Sequence, residues 1–163
     1  MKYLTPQAKA EELREWETKR SNALPAAGRG GEGFADIEIV PLCDFLNAIP
    51  GVCTLQSCAG HDAQNGGLWL WLDQAASEAF DRWGHVLARL PGIETVSREY
   101  TAWGQEVTVI DFDNRRDLWT VSIRVFFAAL YPVVQSPRFS LERHSLSSSP
   151  LDGRLPAGTV VAV

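Results

Sequence analysis

The run from Leu68 to Leu72, Leu-Trp-Leu-Trp-Leu, constrains the fold more than any other segment, because every position in it is apolar. Successive side chains of a strand point to opposite faces of the sheet, so both faces of this segment are apolar. Such a strand belongs at the centre of a sheet, covered on both sides or carrying a ligand on one face. The sequence therefore predicts a central strand over residues 68–72.

The remaining periodicities predict four helices and four further strands around this one. The helices are Gln7 to Arg20, Leu42 to Ile49, Ala75 to Leu90 and about Arg116 to Leu130. The strands are Asp36 to Val40, Val52 to Ser57, Ile93 to Tyr100 and Glu106 to Phe112. The last helix is apolar over most of its circumference, so we expect it to be largely buried and to end at Tyr131-Pro132. This order favours a two-layer α+β fold, a mixed sheet with helices packed on it.

The 163 residues are enough for one hydrophobic core. We expect a domain over residues 34–134, preceded in residues 1–33 by a weakly packed helix and a glycine-rich linker. Residues 28–33 match the dinucleotide pattern G-x-G-x-x-G, but they do not lie between a strand and a helix, so we interpret them as linker. Residues 135–163 are rich in serine and proline and are expected to form a flexible tail, although Thr159 to Val163 could pair as a strand.

Charge and composition restrict the partners. The net charge is -5, and residues 34–134 hold thirteen acidic against six basic residues, which disfavours extensive nucleic-acid binding. No apolar run approaches the roughly 20 residues that cross a bilayer, so no membrane contact is expected. Three cysteines cannot close a disulfide framework and are typical of a reducing compartment. We therefore expect a cytoplasmic protein.

A dense polar cluster, Cys-Thr-Leu-Gln-Ser-Cys-Ala-Gly-His-Asp, runs from Cys53 to Asp62 at the end of a predicted strand. Loops at strand ends are common places for function. The candidate catalytic residues are Cys58 and His61. The candidate ligand-binding residues are Thr54, Gln56, Ser57, Gly60 and Asp62, faced by Trp69 and Trp71, because the loop of residues 59–67 joins the two strands and a tryptophan there could stack on a planar ligand.

Three other interpretations of this cluster stay open. It can be structural, with Cys58 as a small buried side chain and Gly60 at positive φ. A zinc site would use Cys53, Cys58 and His61, but strand alternation places the two thiols on opposite faces, so no metal is expected. Alternatively Cys58 is a nucleophile whose thiol pKa is lowered by His61, although spacing identifies no third, orienting residue.

The stretch from Pro41 to Gly60, followed by the strand of residues 68–72, resembles the Tyw3 family of wybutosine-synthesising transfer-RNA methyltransferases. That family carries a motif of the type Thr-x-Ser-Ser-Cys-x-Gly-Arg, which Thr54, Ser57, Cys58 and Gly60 match; the similarity covers about residues 36–73. The resemblance implies a compact Tyw3-like fold, a pocket at the Ser57-Cys58 loop and S-adenosylmethionine as cofactor.

Two functions follow as hypotheses. The first is binding of a small nucleotide-like or S-adenosylmethionine-type ligand at the loop of residues 57–61, with a methyltransferase-like transferase activity. The alternative is a non-catalytic accessory module that contacts a protein partner through its acidic surface and exposed tryptophans.

Overall fold

The computed structural model describes residues 2–25, 34–60 and 65–135. The glycine-rich motif of residues 28–33 and the predicted tail from Ser136 onwards lie outside the described residues. Within them the predicted α+β fold is confirmed. The helices are α1 (Pro6–Ser21), α2 (Val40–Ala48), α3 (Gln74–Leu87) and α4 (Arg116–Val134). The strands are β1 (Val52–Cys58), β2 (Gly66–Leu72), β3 (Ile93–Tyr100) and β4 (Glu106–Phe112).

The four strands form one sheet in the order β1-β2-β4-β3, with β2 and β4 in the middle. Every neighbouring pair is antiparallel, whereas the sequence analysis expected a mixed sheet. β1–β2 and β3–β4 are hairpins, and hairpins pair antiparallel. β2 and β3, which α3 connects, run parallel to each other but are separated by β4. The prediction that residues 68–72 form a central strand is confirmed.

The predicted strand from Asp36 to Val40 is wrong. These residues form a turn that leads directly into α2, with the Ile39 N–H donating to the Asp36 carbonyl at 3.0 Å. The Asp36 carboxylate accepts the Ala59 N–H at 2.7 Å and so binds the turn to the end of β1. Proline fits the first turn of a helix, where its missing N–H has no partner to lose, so α2 begins at Val40 and includes Pro41.

One face of the sheet carries the main core, because α2, α3 and α4 pack against it. From β2 this face presents Leu68, Leu70 and Leu72, each at most 1% exposed. Phe112 of β4 stacks on Trp119 of α4 with ring centroids 4.0 Å apart. These contacts join the helix layer to the two central strands.

Helix α1 is an integral part of this structure, which corrects the expectation that it packs weakly. Thr5 caps it by accepting the Ala8 N–H at 3.2 Å, and Pro6 occupies its first turn. Near its start Leu4 packs with Cys53 and Trp71, on the face of the sheet opposite the main core. Further along, Trp16 is buried in the main core. α1 therefore passes around the edge of β1 from one face to the other.

Helix α4 differs from its prediction in two respects. It continues through Pro132 to Val134, because a proline near the end of a helix removes only one backbone bond. It is also buried on one side only: Trp119, Ile123 and Phe127 are at most 1% exposed, whereas Val121 and Val125 are 59% and 60% exposed. No described helix, α4 included, is long and apolar enough to cross a membrane.

Two glycines at positive φ provide a test of the packing between the α3–β3 turn and α4. An alanine at Gly92 would place its Cβ 2.6 Å from the Trp119 nitrogen, whereas one at Gly104 would meet nothing within 4 Å. Gly104→Ala should lower the free energy of unfolding by about 1 kcal/mol through backbone strain. Gly92→Ala should lower the free energy of unfolding by about 1–3 kcal/mol more, because its Cβ would also collide with the Trp119 backbone. Chemical denaturation of both variants measures the difference, and equal losses would contradict the packing described.

Candidate functional site

A cavity of about 750 Å³ lies between α1 and the outer edge of β1. Its β1 wall is a run of four consecutive residues, Thr54, Leu55, Gln56 and Ser57. Its other lining residues are Glu12, Glu15, Trp16 and Lys19 of α1 together with Phe34 and Ala35. The volume falls within the roughly 300–1,000 Å³ typical of small-molecule sites. The cavity is therefore large enough for a nucleoside-sized ligand.

The β1 wall is shaped by an irregularity in the strand. Thr54 pairs with Leu70 and Gln56 with Trp69, so Leu55 is an extra residue with no partner on β2. Bulges of this kind bend an edge strand and redirect its side chains. Leu55 packs against the cluster of Leu4, Cys53 and Trp71. The bulge therefore lies in the middle of the cavity wall.

The bulge also overturns the alternation argument about the two thiols. Cys53 pairs with Trp71 and Cys58 with Gly67, and these two β2 residues are four apart, so both cysteines lie on the same face. Four strand residues nevertheless span about 13 Å, too far for two thiols to share one ion. Among the described residues no group of three or more potential ligands could hold a metal.

Two of the predicted binding residues are engaged with α2. The Thr54 backbone N–H and hydroxyl both donate to the Asn47 side-chain oxygen, at 2.8 Å and 3.1 Å. Ser57 lies in hydrogen-bond contact with the buried Cys43 thiol. Gln56 is exposed, and no described residue bonds to its side chain. Thr54 and Ser57 therefore anchor the wall, and Gln56 is its most accessible polar group.

The α1 wall is acidic. Lys19 forms an ion pair with Glu15 at 2.7 Å, so its charge is compensated. No described residue pairs with Glu12, whose pKa is raised above the ordinary carboxyl value, first by burial and then by the neighbouring Glu15. Trp16 donates its ring N–H to Asp44 of α2 at 3.0 Å, which holds this wall in place. One uncompensated carboxylate therefore faces the cavity.

Cys58 lies at the end of β1, next to the cavity but not among its lining residues. Burial raises the pKa of its thiol, and a backbone hydrogen bond from Gly60 offsets only part of this rise. Gly60 has φ 87°, so its predicted role in the turn agrees with the structure. His61 and Asp62 lie outside the described residues. Burial therefore favours the neutral form of the Cys58 thiol, and its activation by His61 stays a prediction.

The two tryptophans do not form the opposite wall. Trp71 is 3% exposed, packs with Leu4 and Cys53, and donates its ring N–H to the Lys2 carbonyl at 3.1 Å. Its role is structural, which corrects the expectation that it binds a ligand. Trp69 is half-buried beside Gln56 on the neighbouring strand and is not among the lining residues.

Sequence reasoning missed the α1 wall, because it interpreted α1 as peripheral. A signal was present nonetheless. Glu12, Glu15, Trp16 and Lys19 are spaced i, i+3, i+4 and i+7, so they share one face of the helix. This pattern is typical of a helix face on which the tryptophan is buried against the core while the charged residues beside it remain accessible to solvent.

Comparisons of the chain with family models, with curated proteins and with solved structures found no match. The resemblance of residues 36–73 to the Tyw3 family therefore stays a prediction, based on Thr54, Ser57, Cys58 and Gly60.

The thiols provide a direct test of the nucleophile hypothesis. Burial raises the pKa of Cys43 to about 12 and that of Cys53 to about 11, and the pKa of Cys58 is raised as well. Because the thiolate is the reactive form, iodoacetamide at pH 7.5 should label Cys58 slowly and the other two hardly at all. The Cys58 rate should still be rising at pH 9. Peptide mass spectrometry measures the rates, with the denatured chain as control, and a Cys58 rate that levels off below pH 7.5 would indicate an activated thiolate.

Proposed function

We propose that the chain binds a small ligand of the S-adenosylmethionine type in the cavity between α1 and β1. The observation that carries this proposal is that three of the seven ligand-binding residues selected from the sequence, Thr54, Gln56 and Ser57, line a single cavity of about 750 Å³. The local resemblance to the Tyw3 family supports the same ligand class. The proposal is that the chain binds this ligand; a methyltransferase-like activity is a second step, considered below.

The charge of the cavity favours an adenosyl ligand over a phosphorylated nucleotide. A phosphate group would lie near the carboxylate of Glu12, and Lys19, the one basic residue among the described lining residues, is already paired with Glu15. S-adenosylmethionine instead carries a sulfonium and an ammonium group, which an acidic wall attracts. Its ribose hydroxyls can also donate hydrogen bonds to a carboxylate, as they do in many dinucleotide sites.

Three of the lining residues contact the ligand in this proposal. Glu12 binds the ammonium group of the ligand, and the Gln56 amide, with both donors and an acceptor, bonds to the adenine edge. Phe34, which is 52% exposed, offers a ring for stacking on adenine. Thr54 and Ser57 act as positioning residues, because their polar groups already contact α2.

A methyltransferase-like activity would place the donor in this cavity. Methyl transfer from a sulfonium passes directly to the acceptor and needs no enzyme thiolate, so the raised pKa of Cys58 is compatible with it. Cys58 is therefore proposed as part of the surroundings of the site and not as a nucleophile. The second candidate function, a protein-interaction module, is favoured by the exposed apolar side of α4.

Ligand binding is tested by calorimetry and thermal shift with S-adenosylmethionine, S-adenosylhomocysteine and ATP. S-adenosylmethionine should bind best, S-adenosylhomocysteine more weakly because it lacks the sulfonium charge, and ATP not measurably. At 100 times its dissociation constant the ligand should add about 2.7 kcal/mol to stability. Affinity should rise as pH increases through the pKa of Glu12, since the ionised carboxylate binds the cation.

The variant Glu12→Gln should weaken binding about tenfold, the value expected for losing one charged hydrogen bond. The matched control is Glu17→Gln, the same change on the same helix at an exposed residue that does not line the cavity. ATP binding better than S-adenosylmethionine, or the two variants weakening binding equally, would contradict the proposed site.

A further inference from the structure

The outer side of α4 presents an apolar stripe with a regular spacing. We define the outer stripe as Leu118, Val121, Val125, Ala128 and Pro132, all of which are exposed. The intervals between them are three, four, three and four residues. This is the spacing of positions a and d in a heptad, which places apolar side chains along one seam between two paired helices. The stripe covers two heptads, the length of a short helix–helix contact.

The stripe is also free of charge. Between Leu118 and Val134 the only charged residue is Arg124. Its guanidinium is turned towards α2, where it donates to the Pro41 carbonyl at 2.8 Å and lies over the Phe45 ring at 5.3 Å. The chain as a whole is 21% charged, so an exposed helix side without a free charge is unusual. Exposed apolar patches of this kind often mark surfaces that bind another molecule.

We propose that the outer stripe pairs with the outer stripe of a second copy of this chain, forming a two-fold symmetric dimer. A symmetric contact brings each surface against itself, so a charged patch of one sign would repel its own copy. The chain carries a net charge of -5, and this stripe is the neutral surface on which two acidic molecules can approach. The heptad spacing on one copy matches the heptad spacing on the other.

The size of the surface determines the strength of the dimer. A helix of 19 residues is about 28 Å long and 10–12 Å wide, so α4 alone offers about 300 Å² in projection. Small interfaces bury roughly 600 Å² per partner or less. Helix α3, which packs against α4 through the contact of Phe80 with Phe126, also exposes an aromatic side chain, Trp83 at 48%. The proposed dimer therefore belongs to the weak, transient class of protein–protein contacts.

Sedimentation velocity of the full chain between about 5 and 500 µM tests the proposal, since the mass should rise with concentration from 18.0 kDa towards twice that value. The double variant V121E/V125E should stay monomeric, with a dissociation constant raised at least 100-fold, because four carboxylates would meet across the axis. Both positions are exposed, so its melting temperature should not change. The matched control is Trp103→Glu, at an 84% exposed residue of the β3–β4 turn, which should dimerise like the wild type.

Charge reversal identifies the contact directly. The variant V121K/V125K should also be monomeric alone, whereas a mixture with V121E/V125E should form heterodimers. A wild type that stays monomeric at 500 µM would overturn the proposal. Dimers formed by either charged variant alone, or a mixture that stays monomeric, would show that the stripes do not face each other.

Discussion

The need to cover both faces of β2 determines where the helices of this chain lie. Its leucines face the main core, and Trp71, on the other face, is 3% exposed. Helices α2, α3 and α4 cover the first face. The second face is covered around Trp71 by Leu4 and the beginning of α1, which then crosses the edge of β1 to bury Trp16. Where α1 crosses that edge, the side chains of α1 and β1 do not pack tightly against each other, and the space between them is the cavity.

Much of the fold follows from the sequence because periodicity reports burial directly. β3 and β4 have their predicted bounds, and α1, α2 and α3 differ from theirs by one to three residues at each end. The prediction failed where a residue acts through a distant contact. Asp36 to Val40 alternates like a strand, but its first carboxylate bonds to Ala59, and no periodicity records that bond.

The site was harder to predict than the fold for a related reason. The rule that successive side chains point to opposite faces of a sheet holds only for a regular strand. The extra residue Leu55 breaks the pattern halfway along β1, so the residues after it lie on the faces opposite to those predicted. Thr54, Gln56 and Ser57 were chosen from the sequence as part of a dense polar cluster at a strand end, and in the structure they line the cavity. Glu12 was missed because its importance depends on where α1 crosses the sheet edge. The spacing within α1 places Glu12 on the same face as Trp16, but it does not say which edge of the sheet that face meets.

Helix α2 connects the two surfaces to which functions are assigned. Its Asn47 accepts both polar hydrogens of Thr54 in the cavity wall, and its Pro41 carbonyl accepts from Arg124 of α4. The arginine bond keeps Arg124, the one charged residue between Leu118 and Val134, away from the outer stripe, and the asparagine bonds keep the edge of β1 in place. The cavity lies beyond β1, whereas the stripe lies on the outside of the helix layer. A second copy docked on α4 would therefore leave the cavity open, so the proposed ligand site and the proposed dimer do not exclude each other.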